Sequence, residues 1–375
     1  MEREKETIEK TTAETAETNQ TEKPKKKKKG WKIPLVILIV LLTPIIVAFV
    51  ILYGRIATIA SVEHVDQDFY KITYKQNYHL DKLSQADIDD EKKLYDFLSE
   101  EFFFGYPISS GNMDKYACSS FIAKASDGGY LAGRNFDYPG TEELLVYTDP
   151  DDGYASYSMT DLNVLGVGEP DGLDPLSLMG RAAMLAAPYL PLDGMNEKGL
   201  MVSILELDAG EIHQRTEKHD VMINIAMRLL LDRAENVEQA LKLLESIDIQ
   251  TINGHSHHLF ICDKSGKSVV VEWKYAKMTV VDDQPCVTNF WLSNSNDKNG
   301  RLGYCDRYDR LADWIDTHSS TTYEEAMNLL SDVRQDNQYA VTEWSSVYHL
   351  NDFSVDVAVN MEYDKVYHFT TKDFN

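Results

Sequence analysis

The residues best suited to chemistry are concentrated in one short stretch that contains Cys118, Arg134 and Asp137. Small and apolar residues on either side of Asp127-Gly128 predict two strands, and this dipeptide is a turn signal because both residues tolerate a positive φ. A two-residue turn there makes Cys118 and Asp137 face each other, with Cα atoms about 4.5–5.5 Å apart. A thiol beside an arginine and a carboxylate could be an activated nucleophile.

A non-catalytic interpretation also fits these residues, with Cys118 as a small buried strand residue and Arg134 and Asp137 as a surface ion pair. Cysteine–histidine catalysis needs an imidazole base, and the hairpin contains no histidine. Cleavage before Cys118 would remove this need, because the new α-amine, with a pKa of about 7.7–8.0, could act as the base for its own thiol.

A regular strand puts Arg134 and Asp137 on opposite faces, so we expect a bulge or a strand end near Asn135.

The segment CSSFIAKASDGGYLAGRNFDYP resembles the N-terminal-nucleophile (Ntn) hydrolases of the choloylglycine hydrolase type. This group includes bile salt hydrolases, penicillin V acylases, acid ceramidase and N-acylethanolamine acid amidase. Three further blocks follow in the order found in that family: Asn196-Glu197-Lys198-Gly199-Leu200, Thr288-Asn289 and Cys305–Leu311. The resemblance covers residues 118 to about 311.

The resemblance implies roles for individual residues. Cys118 would be the nucleophile, Arg134 would stabilise its thiolate, and Asp137 would hold the α-amine. Asn289 would donate to the oxyanion, and Glu206 would help to frame the same region. Arg307 would support them, although Arg310 is an alternative for this arginine. Glu206 stands where the bile salt hydrolases carry Asn and the acid ceramidase branch carries Glu, which favours fatty-acid amides over bile-salt-like or penicillin-like amides.

Composition limits the partners and cofactors. The net charge of −24 argues against nucleic acid as a partner, because phosphates require a basic face. The chain contains four cysteines and no CxxC pair, and a disulfide between Cys286 and Cys305 is left open. His255, His257 and His258 are clustered, but the resembled family uses no metal, so neither a metal nor a cofactor is expected.

The N-terminal region predicts a membrane anchor. Residues 1–30 read as a disordered basic tail, and residues 31–54 as a transmembrane helix, because the uncharged run from Ile33 to Tyr53 spans about 31 Å. The lysine block before this run places the N-terminus in the cytoplasm. We therefore expect a single-pass protein of the cell membrane whose catalytic domain is extracellular.

The remaining chain is predicted as a helical pro-segment or small subunit, residues 55–117, and a catalytic domain, residues 118–375. The fold class implied by the resemblance is α+β, a four-layer αββα sandwich of antiparallel sheets. The expected function is hydrolysis of non-peptide C–N amide bonds in small acyl amides, after cleavage before Cys118. An acyltransferase of the same fold and a non-catalytic ligand-binding ectodomain are alternatives, and the oligomeric state is open.

Overall fold

The computed structural model describes residues 32–103, 105, 117–168, 172–251, 255–294 and 305–374. The predicted tail, residues 1–30, lies outside the described residues. The chain divides into two compact units, Met1–Leu52 and Tyr53–Asn375. The second unit contains all of the predicted site residues.

Helix α1 occupies Lys32–Ala60, contains Pro44, and exposes most of its apolar side chains. Among the described residues, no single helix is long and apolar enough to cross a membrane. Two segments of α1, Leu35–Val47 and Leu52–Ala60, are bent by 47° relative to each other. Taken together, they meet that requirement by length and composition. The transmembrane helix therefore stays a prediction.

The larger sheet of the second unit has nine strands among the described residues, and all neighbouring strands are antiparallel except one parallel pair, Phe69–Tyr74 and Glu143–Thr148. In their order across the sheet, the strands are β1 (Glu63–Asp66), β2 (Phe69–Tyr74), β5 (Glu143–Thr148), β6 (Ser156–Asp161), β7 (Asp193–Asn196), β8 (Leu200–Leu207), β11 (Ser256–Asp263), β12 (Ser268–Lys274) and β13 (Lys277–Asp282). Strands β11 to β13 form the meander typical of an antiparallel sheet.

The smaller sheet carries the cysteine. Its strands, in order, are β14 (Cys286–Val287), β3 (Ala117–Lys124), β4 (Tyr130–Asp137), β16 (Ala340–His349), β17 (Ser354–Val359) and β18 (Tyr367–Phe369), with β15 (Asp336–Asn337) paired to β16. A separate parallel pair consists of β9 (Asp220–Met222) and β10 (Asp248–Gln250).

Helices cover the outer faces of both sheets. The larger sheet packs against α2 (Leu80–Ser84), α3 (Glu91–Phe103), α4 (Leu178–Ala183), α5 (Ile223–Arg233) and α6 (Val237–Leu244), and the smaller sheet against α7 (Asp306–Thr317) and α8 (Tyr323–Asp332). Strand alternation separates two cores: Val202 and Ile204 of β8 face the helices, whereas Met201 and Leu205 face the other sheet. The predicted four-layer α+β arrangement is therefore observed.

The segment 55–117 differs from its prediction as helical. It contains α2 and α3, but also β1 and β2, and β2 is an interior strand that pairs with β5. The sequence of β2 alternates so that Phe69 enters the core between the sheets while Tyr70 and Ile72 enter the core under the helices. This short β pattern, rather than helical spacing, determines the structure of Phe69–Tyr74.

Candidate active site

The hairpin of β3 and β4 has a register one residue away from the predicted one. Cys118 pairs with Phe136, and Ala117 pairs with Asp137. The loop is one residue longer than predicted, because the amide of Ala125 donates to the carbonyl of Gly129 at 3.0 Å. Gly129 has a φ of +82° and is therefore part of the turn, not of the strand. The prediction that Cys118 faces Asp137 was wrong.

The corrected register separates the functional side chains by face. Cys118 and Arg134 point toward the larger sheet, because Arg134 donates to the carbonyl of Ile204 at 2.8 Å. Asp137, opposite Ala117, points toward the helices. The expected bulge near Asn135 is absent from β4, which continues to Asp137, and the irregularity lies in β16 between Thr342 and Trp344.

Polar side chains converge on the main chain of Cys118. Its amide donates to Oδ1 of Asn289 at 2.7 Å, and its carbonyl accepts from Nη1 of Arg307 at 2.7 Å. Nη2 of Arg307 also donates to Oδ1 of Asn289, at 3.0 Å. Residues from β3, the loop after β14 and α7 are therefore joined around the main chain of one residue, Cys118. Arg310 lies elsewhere, on the carbonyl of Asp332.

Asp137 joins this network through Arg307. Its Oδ2 lies 3.1 Å from Nη1 of Arg307, and its Oδ1 accepts from the Thr342 hydroxyl at 2.6 Å. Asp137 is fully buried, and burial raises its pKa, while the Arg307 charge acts in the opposite direction.

Arg134 lies beneath the thiol in a fully buried position. Its Nε is 3.7 Å from Oδ2 of Asp193, and that carboxylate also accepts from Trp344 at 3.0 Å and from Tyr348 at 2.5 Å. A buried arginine needs such a partner, because an unpaired charge in the interior is costly. Asp193 therefore holds in place the cation that faces Cys118.

Burial raises the pKa of the Cys118 thiol to about 12, although Arg134 and Arg307 act to lower it and Asp137 adds to the rise. The thiol is consequently protonated at neutral pH in the uncut chain. A base is needed before this sulfur can attack a carbonyl.

A comparison with family models shows the family of this chain. A model described as linear amide C-N hydrolases, choloylglycine hydrolase family, matches residues 118–334, which is more than half of the chain. The chain belongs to the choloylglycine hydrolase family. It is thus a linear amide C–N hydrolase, and its substrates are small acyl amides.

Two solved structures have a similar fold. A cysteine-to-alanine mutant of the conjugated bile acid hydrolase from Clostridium perfringens aligns with a TM-score of 0.51 at 17% identity, covering 69% of this chain and 93% of that one. An arginine-to-leucine variant of the same enzyme aligns with a TM-score of 0.52 at 17% identity, covering 69% and 94%. The comparison with curated proteins finds no match.

Glu206, expected by family resemblance to frame the oxyanion, contributes its main chain to the cluster. Its carbonyl accepts from Nδ2 of Asn289 at 2.8 Å, while its carboxylate lies 3.6 Å from His255. By strand alternation, the side chain points to the same side as Ile204, away from the thiol. Since the Asn289 amide nitrogen carries two hydrogens, this bond leaves one for a substrate oxyanion.

The clustered histidines do not converge in the described structure. His255 faces Glu206, and His258 lies 3.5 Å from Glu272. His257 is buried, and burial lowers its pKa to about 3. All four cysteines are among the described residues and none of them is in a disulfide, so Cys286 and Cys305 are not bridged.

Sequence reasoning missed two members of the site. The sequence does contain a signal for Asp193, because this residue begins the strand that leads into the family's N-E-K-G turn. The sequence contains no such signal for Thr342, since its contact with Asp137 arises only when β16 pairs with β4.

Proposed function

We propose that the protein is a membrane-anchored, extracellular cysteine hydrolase of N-acyl amides that becomes active when the chain is cut between Ala117 and Cys118. The observation that carries this proposal is the set of side chains around the main-chain nitrogen of Cys118. In the uncut chain this nitrogen is an amide that donates to Asn289. After cleavage, the same atom is the α-amine, next to its own thiol.

The thiol is buried and protonated, and the described residues place no histidine at it. An α-amine would provide the missing base at the position that the network already holds. Its pKa of about 7.7–8.0 is suitable for accepting a proton near neutral pH. Arg307 and Asn289 bind the main chain of Cys118 and would keep the new terminus in place.

The reaction then follows from the neighbouring groups. The amine takes the thiol proton, and the sulfur attacks the carbonyl carbon of the acyl amide. The second N–H of Asn289 stabilises the oxygen that becomes negative. The amine returns the proton to the leaving nitrogen as the C–N bond breaks, and water releases the acyl group from Cys118. Arg134, held by Asp193, stabilises the thiolate.

The piece that precedes the cut would stay bound. Strand β2 lies between β1 and β5 in the larger sheet, and its side chains enter both cores. Breaking the peptide bond between the first two residues of β3 leaves these contacts intact. The segment 55–117 would therefore remain as a small subunit without a covalent bond to the catalytic part.

The apolar run of α1 supports the proposed anchor, with the lysine block on its cytoplasmic side. A tether at the membrane suits an acyl amide of fatty-acid type, which the residue type of Glu206 also favours. Digestion of intact cells with an external protease tests the orientation. Loss of the C-terminal domain with protection of an N-terminal epitope is expected, and the reverse pattern would contradict it.

Intact-mass analysis of the purified full-length chain tests the cleavage. The wild type is expected to give two chains, the second beginning at Cys118, and Cys118→Ala is expected to give one chain without amide hydrolysis. Cys262→Ala is a matched control, because Cys262 is a fully buried strand thiol that lies outside the network. Circular dichroism of both variants checks that they fold.

The assay uses N-acylethanolamines, conjugated bile acids and penicillin V as substrates, with an added amine in a parallel reaction. Release of free acid identifies hydrolysis, whereas predominant acyl transfer to the amine identifies a transferase. An uncut wild type that hydrolyses none of these amides would overturn the proposal.

A further inference from the structure

Three side chains with metal-binding chemistry meet at one edge of the smaller sheet. They are His349 of β16, Asp356 of β17 and His368 of β18. Trp344, which pairs with Phe136 beside Cys118, lies five residues before His349, a distance of about 17 Å along a strand. The group is therefore separate from the candidate active site.

The sheet register brings the three residues onto one face. Asp356 pairs with His368 on one side and with Val347 on the other, and His349 is two residues after Val347. Tyr348 points between the sheets, where it donates to Asp193, so His349 points to the helix side. Two imidazoles thus flank one carboxylate across three adjacent strands.

The distances between the ligand atoms of these three side chains fit a shared cation. Nε2 of His349 lies 2.6 Å from Oδ2 of Asp356, and Nδ1 of His368 lies 2.7 Å from Oδ1. The three ligand atoms all lie within 4.8 Å of one another. In a tetrahedral zinc site with bonds of about 2.0–2.2 Å, ligand atoms are about 3.4 Å apart, so small side-chain rotations would complete the site.

We propose that His349, Asp356 and His368 bind one Zn²⁺ ion. Two neutral imidazoles and a carboxylate suit zinc, whereas Ca²⁺ and Mg²⁺ prefer oxygen ligands. The Asp356 side chain is 6% exposed and that of His368 is 55% exposed, so the carboxylate is fixed in the interior while a water can enter as the fourth ligand. The net charge of −24 attracts cations.

The ion would act on the last strand of the sheet. Strand β18 has three residues and pairs only with β17 among the described strands. Coordination by residues from β16, β17 and β18 would join this edge strand to two others. Zinc that binds the folded chain selectively also stabilises it.

Zinc titration of the purified full-length chain, prepared without a polyhistidine tag, tests the site. Isothermal titration calorimetry with Zn²⁺ alone is expected to show one ion per chain, and thermal unfolding with and without Zn²⁺ is expected to show a rise in Tm. Both effects are expected to disappear in His368→Gln and Asp356→Asn. His219→Gln is the control, because His219 makes an exposed pair with Asp87 at 3.0 Å and has no third ligand among the described residues.

No zinc binding by the wild type, or equal binding by the wild type and His368→Gln, would overturn the proposal. Co²⁺ gives a readout that does not depend on the folding of a variant. A four-coordinate site gives intense visible absorption that Zn²⁺ removes by displacement. A weak six-coordinate spectrum at one equivalent of Co²⁺ would contradict the proposed geometry.

Discussion

Burial and charge act in opposite directions on the Cys118 thiol. Burial dominates and raises the thiol pKa to about 12, although two arginines favour the thiolate. The arginines differ in their position. Arg134 lies on the thiol's face and is held by Asp193, whereas Arg307 binds the Cys118 carbonyl from the helix side. One positions charge near the sulfur, and the other positions the backbone that carries the proposed amine.

Replacement of Arg307 by lysine tests whether this arginine positions the main chain of Cys118. We expect Arg307→Lys to lower kcat/KM by about 100-fold or more, because one ammonium cannot reproduce the planar contacts to Cys118, Asp137 and Asn289. Steady-state kinetics on a hydrolysed acyl amide, with intact-mass analysis of the same sample, separates loss of cleavage from loss of turnover.

Arg310→Lys is the control for this change. Arg310 lies one helical turn away and donates to the carbonyl of Asp332 at 3.2 Å. We expect its kcat/KM to stay close to that of the wild type. Equal losses in both variants would show that the contacts of Arg307 have no special part in the reaction.

At the scale of elements, glycine-containing turns determine how the strands meet. Gly129 lengthens the β3–β4 loop and shifts its register. Gly199 ends the turn between β7 and β8 with a φ of +84°, and a Cβ there would lie 2.3 Å from the carbonyl oxygen of Leu350. This turn precedes the strand that carries Ile204 and Glu206, whose carbonyls bind Arg134 and Asn289.

We expect Gly199→Ala to lower the free energy of unfolding by about 1–3 kcal/mol, because both the positive φ and the backbone contact oppose a side chain. Urea unfolding of the full-length chain measures the change. Gly210→Ala is the matched control, since a Cβ at Gly210 would have no atom within 4 Å and this residue does not have a positive φ. A larger loss in Gly210→Ala than in Gly199→Ala would contradict this account.

At the scale of the whole molecule, acidic side chains are buried between the two sheets. Glu143 and Asp161 pair across β5 and β6, and the charge of Glu343 from β16 acts on Glu143. Burial raises the pKa of all three, to about 6 for Asp161 and about 7 for Glu343. Ionisation of these groups therefore opposes folding.

Ionisation of Glu343 makes the stability of the folded state depend on pH. Its carboxyl loses a proton near pH 4.5 when unfolded and near pH 7 when folded. The folded state is therefore destabilised progressively between these values, by up to about 3 kcal/mol, and by a constant amount above pH 7. We expect Glu343→Gln to raise the free energy of unfolding relative to wild type little at pH 4.5 and most at pH 8.

Urea unfolding of the wild type and the variant at both pH values measures this difference. The exposed Glu324, in the first turn of α8, provides the control Glu324→Gln. The difference in free energy of unfolding between this control and the wild type is expected to change much less with pH. A gain from Glu343→Gln that is equal at pH 4.5 and pH 8 would refute the proposed ionisation.

Much of the fold and site could be predicted from local pattern. The meander of β11 to β13 follows from alternation, and helix α8 follows from a capping box between Thr322 and Glu325. The four family blocks indicated the residues that meet at Cys118, including the choice of Arg307 before Arg310. These signals are local or motif-based, so they survive without knowledge of the tertiary structure.

The sequence by itself determined that a cysteine at the start of a strand, an Arg-Asn-Phe-Asp cluster and a later Asn and Arg belong to an amide hydrolase. The tertiary structure decided which atoms meet. It shifted the hairpin by one residue, so that Cys118 shares a face with Arg134 rather than with Asp137. It also showed that Glu206 contributes its carbonyl and that Asp193 and Thr342 complete the contacts. The physical reason is that side-chain direction depends on register, and register depends on a turn conformation and on strands distant in the sequence.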